Sequence, residues 1–195
     1  GSDMPLATLI KDGKIIWSDT SAPTNLIGFN KENKLVLSKT TAENAIKSGI
    51  RDGLEFGPFL MINGKKLQYE STAGGYDRAA RVAIAQRKDG VVLFLVTEGV
   101  HANGPSLMEV IDLLEKYGAY NAANLDGGTS SVLVVGDTIV NDPIDSTGAH
   151  KTRPISTAFI KYSVSLWTVK TKTFTFDLLS FNFLRTSRPF IFGIF

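Results

Sequence analysis

Apolar and polar residues alternate along most of this chain in short runs with the period of β-strands, and turn residues punctuate them. Residues 6–10 and 14–17 flank Lys11-Asp12-Gly13, and residues 26–29 and 35–38 flank a second polar turn at 30–34, so both pairs predict hairpins. Residues 56–62 predict another strand, stopped by Asn63-Gly64, with Pro58 marking an edge or a bulge. The strongest strands are predicted at 79–87 and 91–98, joined by Asp89-Gly90. The second of these is a nearly unbroken apolar run, as expected of a strand buried on both faces. Residues 122–125 predict a short strand entering a glycine turn. Residues 131–135 and 138–140 predict a hairpin around Gly136-Asp137, and residues 155–162 a closing strand.

The period changes to that of a helix in one clear place. Leu107, Val110, Ile111 and Leu114 form an apolar stripe that Tyr117 continues. Ser106 and Glu109 supply a capping box, and Gly118 a stop. A shorter helix is predicted after Thr40-Thr41-Ala42-Glu43, read as a capping box, with Gly49 as its end. Residues 70–78, polar and centred on Gly74-Gly75, predict a loop. Many strands and few helices give an α+β fold: a single domain on a large mixed or antiparallel sheet.

Composition narrows the function classes. A chain of 195 residues supports one substantial core. The formal charge of +2, with basic residues dispersed, is too small to suggest a polyanion-binding surface, so no nucleic-acid partner is expected. The absence of cysteine removes disulfides, thiolate nucleophiles and cysteine zinc sites. No run approaches the roughly 18 apolar residues of a membrane span. Gly1-Ser2-Asp3-Met4 reads as a cloning scar. Residues 163–195 hold seven of the twelve phenylalanines and one acid, Asp177. They read either as extra strands covering an edge or as sequence appended to a complete domain. The domain itself is expected over residues 5–162.

The most unusual segment is 122–131. An apolar strand ends in Asp126, the chain turns at once on Gly127-Gly128, and Thr129, Ser130 and Ser131 follow. Glycines let backbone approach a ligand, and successive N–H groups in such a turn can form an anion-binding nest. The same pattern also fits a tight turn in which Asp126 caps its own backbone. Glu98 is a second carboxylate at a strand end, or else merely a solvated one. His101 lies close to it in a polar loop, and His150 sits in a similar loop. Arg81 interrupts an apolar strand. It needs an anionic partner if buried, from the protein or from a ligand phosphate. Asp77, Arg78 and Arg153 are further candidates, and Asn141-Asp142-Pro143 ends a strand as an Asx-capped turn would. No Gly-x-x-x-x-Gly-Lys spacing is present, which disfavours a nucleotide phosphate loop.

In order along the chain, several motifs together resemble the phosphodiester glycosidase family. They are Phe56-Gly57-Pro58, Arg81-Val82-Ala83-Ile84-Ala85, Thr97-Glu98-Gly99, Gly104 with Ser106-Leu107-Met108-Glu109, and Tyr117-Gly118-Ala119. After these come Asn124-Leu125-Asp126-Gly127-Gly128-Thr129-Ser130-Ser131, Asn141-Asp142-Pro143 and Arg153-Pro154-Ile155. The resemblance spans about residues 50–162. It implies hydrolysis of a glycosyl-1-phosphodiester, such as one of N-acetylglucosamine, on the sugar side. Asp126 and Glu98 would then serve the oxocarbenium-like transition state, with their individual roles open. Arg81, Asn124, Gly127, Gly128, Thr129, Ser130, Asn141, Arg153 and His101 would hold the sugar phosphate.

The resemblance also implies a small-molecule or polysaccharide sugar-phosphate substrate and a bacterial, secreted or envelope setting linked to exopolysaccharide. No organic cofactor is implied. A divalent cation is left open, because no ligand cluster demands one. The chain departs from the family at Glu98-Gly99-Val100, where Asp-Gly-Arg is common, and an upstream Asn-containing family segment is expected to be missing. Those departures keep a second reading alive: a non-catalytic carbohydrate- or phosphate-binding module.

Overall fold

Two antiparallel sheets stack face to face, and one helix packs on each outer face, in the computed structural model, which describes residues 5, 7–69, 78–99, 104–145, 147–161 and 190–194. The first sheet contains β1 (Thr8–Lys11), β2 (Lys14–Ser18), β3 (Thr24–Asn30), β4 (Leu35–Thr40) and, after α1 (Ala42–Lys47), β5 (Ile50–Glu55). Its order is β2-β1-β5-β3-β4. The second contains β6 (Phe59–Ile62), β7 (Lys65–Lys66), β8 (Val82–Arg87), β9 (Val92–Val96), β10 (Ala119–Leu125) and β13 (Phe190–Ile194), with α2 (Leu107–Lys116) before β10. Its order is β13-β9-β8-β10-β6-β7. A small hairpin, β11 (Val134–Val135) and β12 (Thr138–Ile139), follows β10. The fold is therefore α+β, with the expected large sheet divided into two.

The period of two along each strand sorts side chains between layers. Ala83, Ala85, Leu93, Leu95 and Ala122 pack with Leu107, Val110, Ile111 and Leu114 of α2. Their neighbours Ile84, Ala123, Val92 and Phe94 face the other way, against Ile27, Leu35 and Phe29 of the first sheet. Leu26 joins Ile10, Ile50 and Ala45 beneath α1. β8 is thus buried on both faces, as β9 is over most of its length. Each fully buried aliphatic side chain contributes about 1.5–3 kcal/mol by leaving water.

Polar groups pin the sheet-to-sheet interface at one end. Gln86 is buried on the face that Ile84 shares. Its Oε1 accepts from Leu35 N–H at 2.7 Å, and its Nε2 donates to the carbonyls of Asn33 at 2.8 Å and Gly90 at 3.0 Å. Asn121 donates to Leu35 C=O at 3.3 Å and accepts from Asn63 N–H at 2.8 Å.

Several local expectations need correction. β5 is the central strand of the first sheet yet was not expected, because Ile50-Arg51-Asp52-Gly53 carries charges and a glycine. Gly53 pairs with Gly28, and a Cβ on Gly28 would stand 2.7 Å from Asp52 O, so the two backbones approach where side chains would not fit. Residues 155–161 form no strand. Ile155 and Ile160 are exposed, and Phe159 packs edge-on against Phe29 at 6.0 Å. With so little apolar surface to bury, the segment forms no ladder; Tyr162 lies outside the described residues. Thr41, not Thr40, caps α1 by accepting from Asn44 N–H. Glu43 is therefore one position too early to complete a box. β6 starts after Pro58 and lies inside the sheet, and a register irregularity in its pairing with β10 falls beside that start. Most of residues 163–195 and of the 70–78 loop lie outside the described residues. Residues 190–194 form β13, which pairs along β9 from Phe190↔Val96 to Ile194↔Val92.

The capping box of α2 forms as expected. Ser106 Oγ accepts from Glu109 N–H at 3.2 Å, and Glu109 Oε2 accepts from Ser106 N–H at 2.8 Å. Arg78 reaches Glu109 Oε1 at 2.6 Å. The Ser106 amide first, and the Arg78 guanidinium second, hold the Glu109 carboxyl below its usual range.

Gln86→Ala should cost about 2–3 kcal/mol in chemical denaturation, since it strands a buried N–H and two carbonyls. Gln86→Leu should not recover that loss, and an unchanged midpoint in either variant would remove Gln86 as the interface pin. Glu109→Gln should cost at most about 1 kcal/mol at neutral pH, because the group is exposed. A depressed carboxylate contributes stability above its unfolded pKa and loses it as pH falls through the folded value. The gap between wild type and Glu109→Gln should therefore close below about pH 4. Equal gaps at pH 3 and pH 7 would contradict that assignment.

Candidate active site

Three neighbouring strands deliver their ends to one place. Val82 pairs with Val96 on one side and Leu125 on the other, so the flanking residues Arg81, Thr97 and Asp126 come out together. The row continues beyond the strands. Arg81 N–H donates to Thr97 Oγ1 at 2.8 Å, and Thr97 N–H donates back to Arg81 C=O at 2.8 Å. Gly128 N–H donates to Ala80 C=O at 2.7 Å. A Cβ on Gly127 would stand 2.7 Å from that same carbonyl oxygen, so glycine alone lets the turn lie against the lead-in to β8. Gly128, at φ +57°, then opens a single 3-10 turn, Gly128–Ser130.

Arg153 ties this turn together from a distant part of the chain. One of its terminal nitrogens donates to Asp126 Oδ2 at 2.8 Å and also contacts Ser130 Oγ. The pair is half-exposed, with 34% of the Arg153 side chain and 51% of the Asp126 side chain reaching solvent. Beside it opens a cleft of about 240 Å³, lined among others by Arg78, Glu98, Thr129, Ser131, Asn141 and Asp142. Asn141 is clamped in place: its Oδ1 accepts from Leu133 N–H at 2.8 Å and its Nδ2 donates to Ser131 C=O at 2.8 Å. Glu98 Oε1 accepts from Asp142 N–H at 2.7 Å. A larger open depression of about 790 Å³, bordered by Arg87, Lys88, Lys116 and Tyr120, lies at the opposite end of the sheet. It contains none of the expected site residues.

Of those expected residues, Glu98, Gly128, Thr129 and Asn141 line the cleft, and Asp126, Ser130 and Arg153 form a connected set beside it. Gly127 shapes the turn. Arg81 is buried at 7% exposure, which removes its outward-facing alternative. Asn124 is also buried, and its amide donates to the carbonyls of Gly57 at 3.1 Å and Leu125 at 2.9 Å, a tie between β10 and the chain entering β6. His101 and Asp77 lie outside the described residues. The amides of Gly128, Ser130 and Ser131 are engaged within the turn or by Ala80, which limits a backbone nest there.

Sequence reasoning passed over Thr97 and Asp145, which also line the cleft, and gave His150 little weight. Thr97 stands in the Thr97-Glu98-Gly99 motif without being singled out as a site residue, and no periodic or motif signal marks Asp145. Asp145 organises a loop: its carboxylate accepts from Thr147 N–H, Thr147 Oγ1 and Ala149 N–H and pairs with Lys151, which holds it far below the usual carboxylate range.

The electrostatics divide the site in two. The cleft wall carries Glu98, Asp142 and Asp145 against one cation, Arg78, itself paired with Glu109. Such a wall suits hydroxyl groups, which donate to carboxylates. The rim at Arg153 and Ser130 suits an anion. Ser131 Oγ, Asn124 Oδ1 and Arg153 Nε are buried with no hydrogen-bond partner among the described residues, an unusual concentration of unsatisfied polar atoms. Among the described residues no group of three or more His, Cys, Asp or Glu side chains gathers to hold a metal ion. Nor, among them, is any helix long and apolar enough to cross a membrane.

Comparison with known proteins gives a consistent set of relatives. The family model described as phosphodiester glycosidase matches residues 1–162. The N-acetylglucosamine-1-phosphodiester alpha-N-acetylglucosaminidase of Mus musculus is 21% identical over 157 residues, which are 72% of this chain and 30% of that protein. The zebrafish N-acetylglucosamine-1-phosphodiester alpha-N-acetylglucosaminidase catalytic domain, auto-inhibited by its pro-peptide, superposes with a TM-score of 0.64 at 20% identity. That match covers 75% of this chain and 55% of that one, and it establishes likeness of fold. The chain thus spans well under two thirds of either relative. With the family model matching well over half of its length, the chain belongs to the phosphodiester glycosidase family.

Proposed function

We propose that this domain hydrolyses a glycosyl-1-phosphodiester, cleaving on the sugar side and releasing free sugar, with N-acetylglucosamine-1-phosphodiesters as the first substrates to test. The observation that carries this reading is the placement of Asp126. It stands at the end of a buried strand, oriented by Arg153, beside a small cleft walled by Glu98. The cleft, at about 240 Å³, falls just below the roughly 300–1,000 Å³ common for drug-sized ligands, which fits one sugar ring better than a long oligosaccharide. The ring occupies the carboxylate-lined cleft and the phosphate sits at the Arg153–Ser130 rim. A developing oxocarbenium ion there is stabilised by Asp126 or Glu98, one acting as nucleophile or base. The phosphate leaving group is already a weak base, so it needs little general-acid help. Arg153 changes partner in this scheme, trading part of its hold on Asp126 for the substrate phosphate. The activity for which the mouse and zebrafish relatives are named supports this substrate class; an envelope or exopolysaccharide setting is part of the same proposal.

A second reading, a sugar-phosphate-binding module without turnover, draws on the ion pair that already occupies Asp126 and on the departure at Glu98-Gly99-Val100. Calorimetry beside a turnover assay separates the two: heat of binding with no sugar released would favour the module.

Asp126→Ala should lower kcat by about 10²–10⁴-fold on a panel of sugar-1-phosphodiesters while the thermal transition stays cooperative. Full activity in that variant would exclude Asp126 from the chemistry. Arg153→Ala should raise KM by the equivalent of about 1.5–3 kcal/mol, the worth of a charge-assisted hydrogen bond. An effect confined to kcat would place Arg153 on Asp126 rather than on the phosphate.

A further inference from the structure

We propose that His150 is a positioning residue for Glu98, acting through Asp142, and that the placement of the Glu98 carboxylate follows the protonation state of His150. The inference rests on reading Glu98 as a carboxylate of the functional cleft, and it adds a residue and a pH dependence that the family motifs do not contain.

The contacts form a short chain. His150 Nδ1 lies 2.8 Å from both carboxylate oxygens of Asp142. The N–H of the same Asp142 donates to Glu98 Oε1 at 2.7 Å. Asp142 therefore holds histidine with its side chain and glutamate with its backbone. The peptide between them is fixed from both directions. On one side stands Asn141, clamped by Leu133 N–H and Ser131 C=O. On the other is a hydrogen-bonded loop in which Ile144 bridges to His150, Asp145 N–H donates to Ala149 C=O at 2.9 Å, and Gly148 N–H donates to Asp145 C=O at 3.0 Å. A pull on the Asp142 side chain is therefore transmitted to its own amide rather than lost in a loose loop.

The charged surroundings set the sign. Asp142 faces His150 across the loop. The adjacent Lys151 is taken by Asp145 at 2.9 Å, and Arg78 and Glu98 face the shared cleft. Histidine is the side chain whose charge ordinarily changes between about pH 5 and 8. Protonated, it forms a charge-assisted pair with Asp142, and the hold on the Asp142 peptide is strongest. Neutral, it keeps one ordinary Nδ1–H bond and the hold relaxes. Both side chains are more than half exposed, so the effect is a shift in the position of Glu98 rather than a folding switch.

The test is a pH titration of the intact chain by NMR, with glutamate carboxyl carbons labelled and the Glu98 signal assigned by its loss in Glu98→Gln. Besides its own titration, the Glu98 signal should show a second inflection that coincides with that of the His150 ring. Glutamine at 150 retains a hydrogen-bonding side chain but cannot titrate, so that inflection should vanish in His150→Gln, and it should vanish in Asp142→Asn as well. A Glu98 signal that ignores the His150 titration, or an inflection that survives in His150→Gln, overturns the proposal. The readout needs no substrate, so a failure of the glycosidase reading leaves it interpretable. Where hydrolysis is measured, His150→Gln should flatten the pH dependence of kcat while leaving KM nearly unchanged.

Discussion

The antiparallel pairing of β8 with both β9 and β10 is the constraint on which the site depends. The register that sets Val82 beside Val96 and Leu125 determines which residues emerge together at the sheet end. A slip of one residue would turn every side chain to the opposite face. It would move Ala83 and Ala85 away from α2 and separate Asp126 from the Arg81–Thr97 row. The register is held because β8 is packed on both sides, by α2 through one set of residues and by the first sheet through the other. Burial on both faces leaves no alternative pairing of similar energy, so the core determines the geometry of the chemistry at its margin.

Polar groups complete what apolar packing leaves loose. Stacked sheets of aliphatic side chains can slide with little change in buried area. Directional bonds from Gln86 and Asn121 to the Leu35 segment oppose that motion at one end. At the other end Asn124 ties β10 to Gly57, and Asn141 joins the segment after the glycine turn to the strand that returns. The buried amides thus bracket the layers, one group far from the cleft and one next to it.

Charge is distributed with the same economy. Arg51, Lys66, Arg78 and Arg87 form ordinary surface pairs, but Arg153 is shared between a carboxylate and a hydroxyl at the glycine turn. Among the carboxylates of the cleft, Glu98 accepts from a backbone amide, whereas Asp145 combines loop hydrogen bonds with an ion pair to Lys151. This arrangement keeps a carboxylate-lined wall beside a rim where Arg153 is balanced by Asp126.

The sequence by itself determined the elements whose signals are local. The hairpin at Asp12-Gly13, the capped stripe of α2, the apolar runs of β8 and β9 and the glycine turn after Asp126 each follow from residues within a single window. The ordered motifs were enough to point to the family. It did not reveal β5, whose Gly53 is explained only by Gly28 on another strand, nor the irregular course of residues 155–161, whose apolar residues find almost no surface to cover. It also left each candidate side chain with two readings. The tertiary structure brought Arg153 onto Asp126 from 27 residues away and Asp142 onto Glu98 from 44, and it made His150 part of that cluster. Contacts of this kind depend on how two packed sheets bring distant strand ends and loops together, and no local periodicity in the chain encodes that distance.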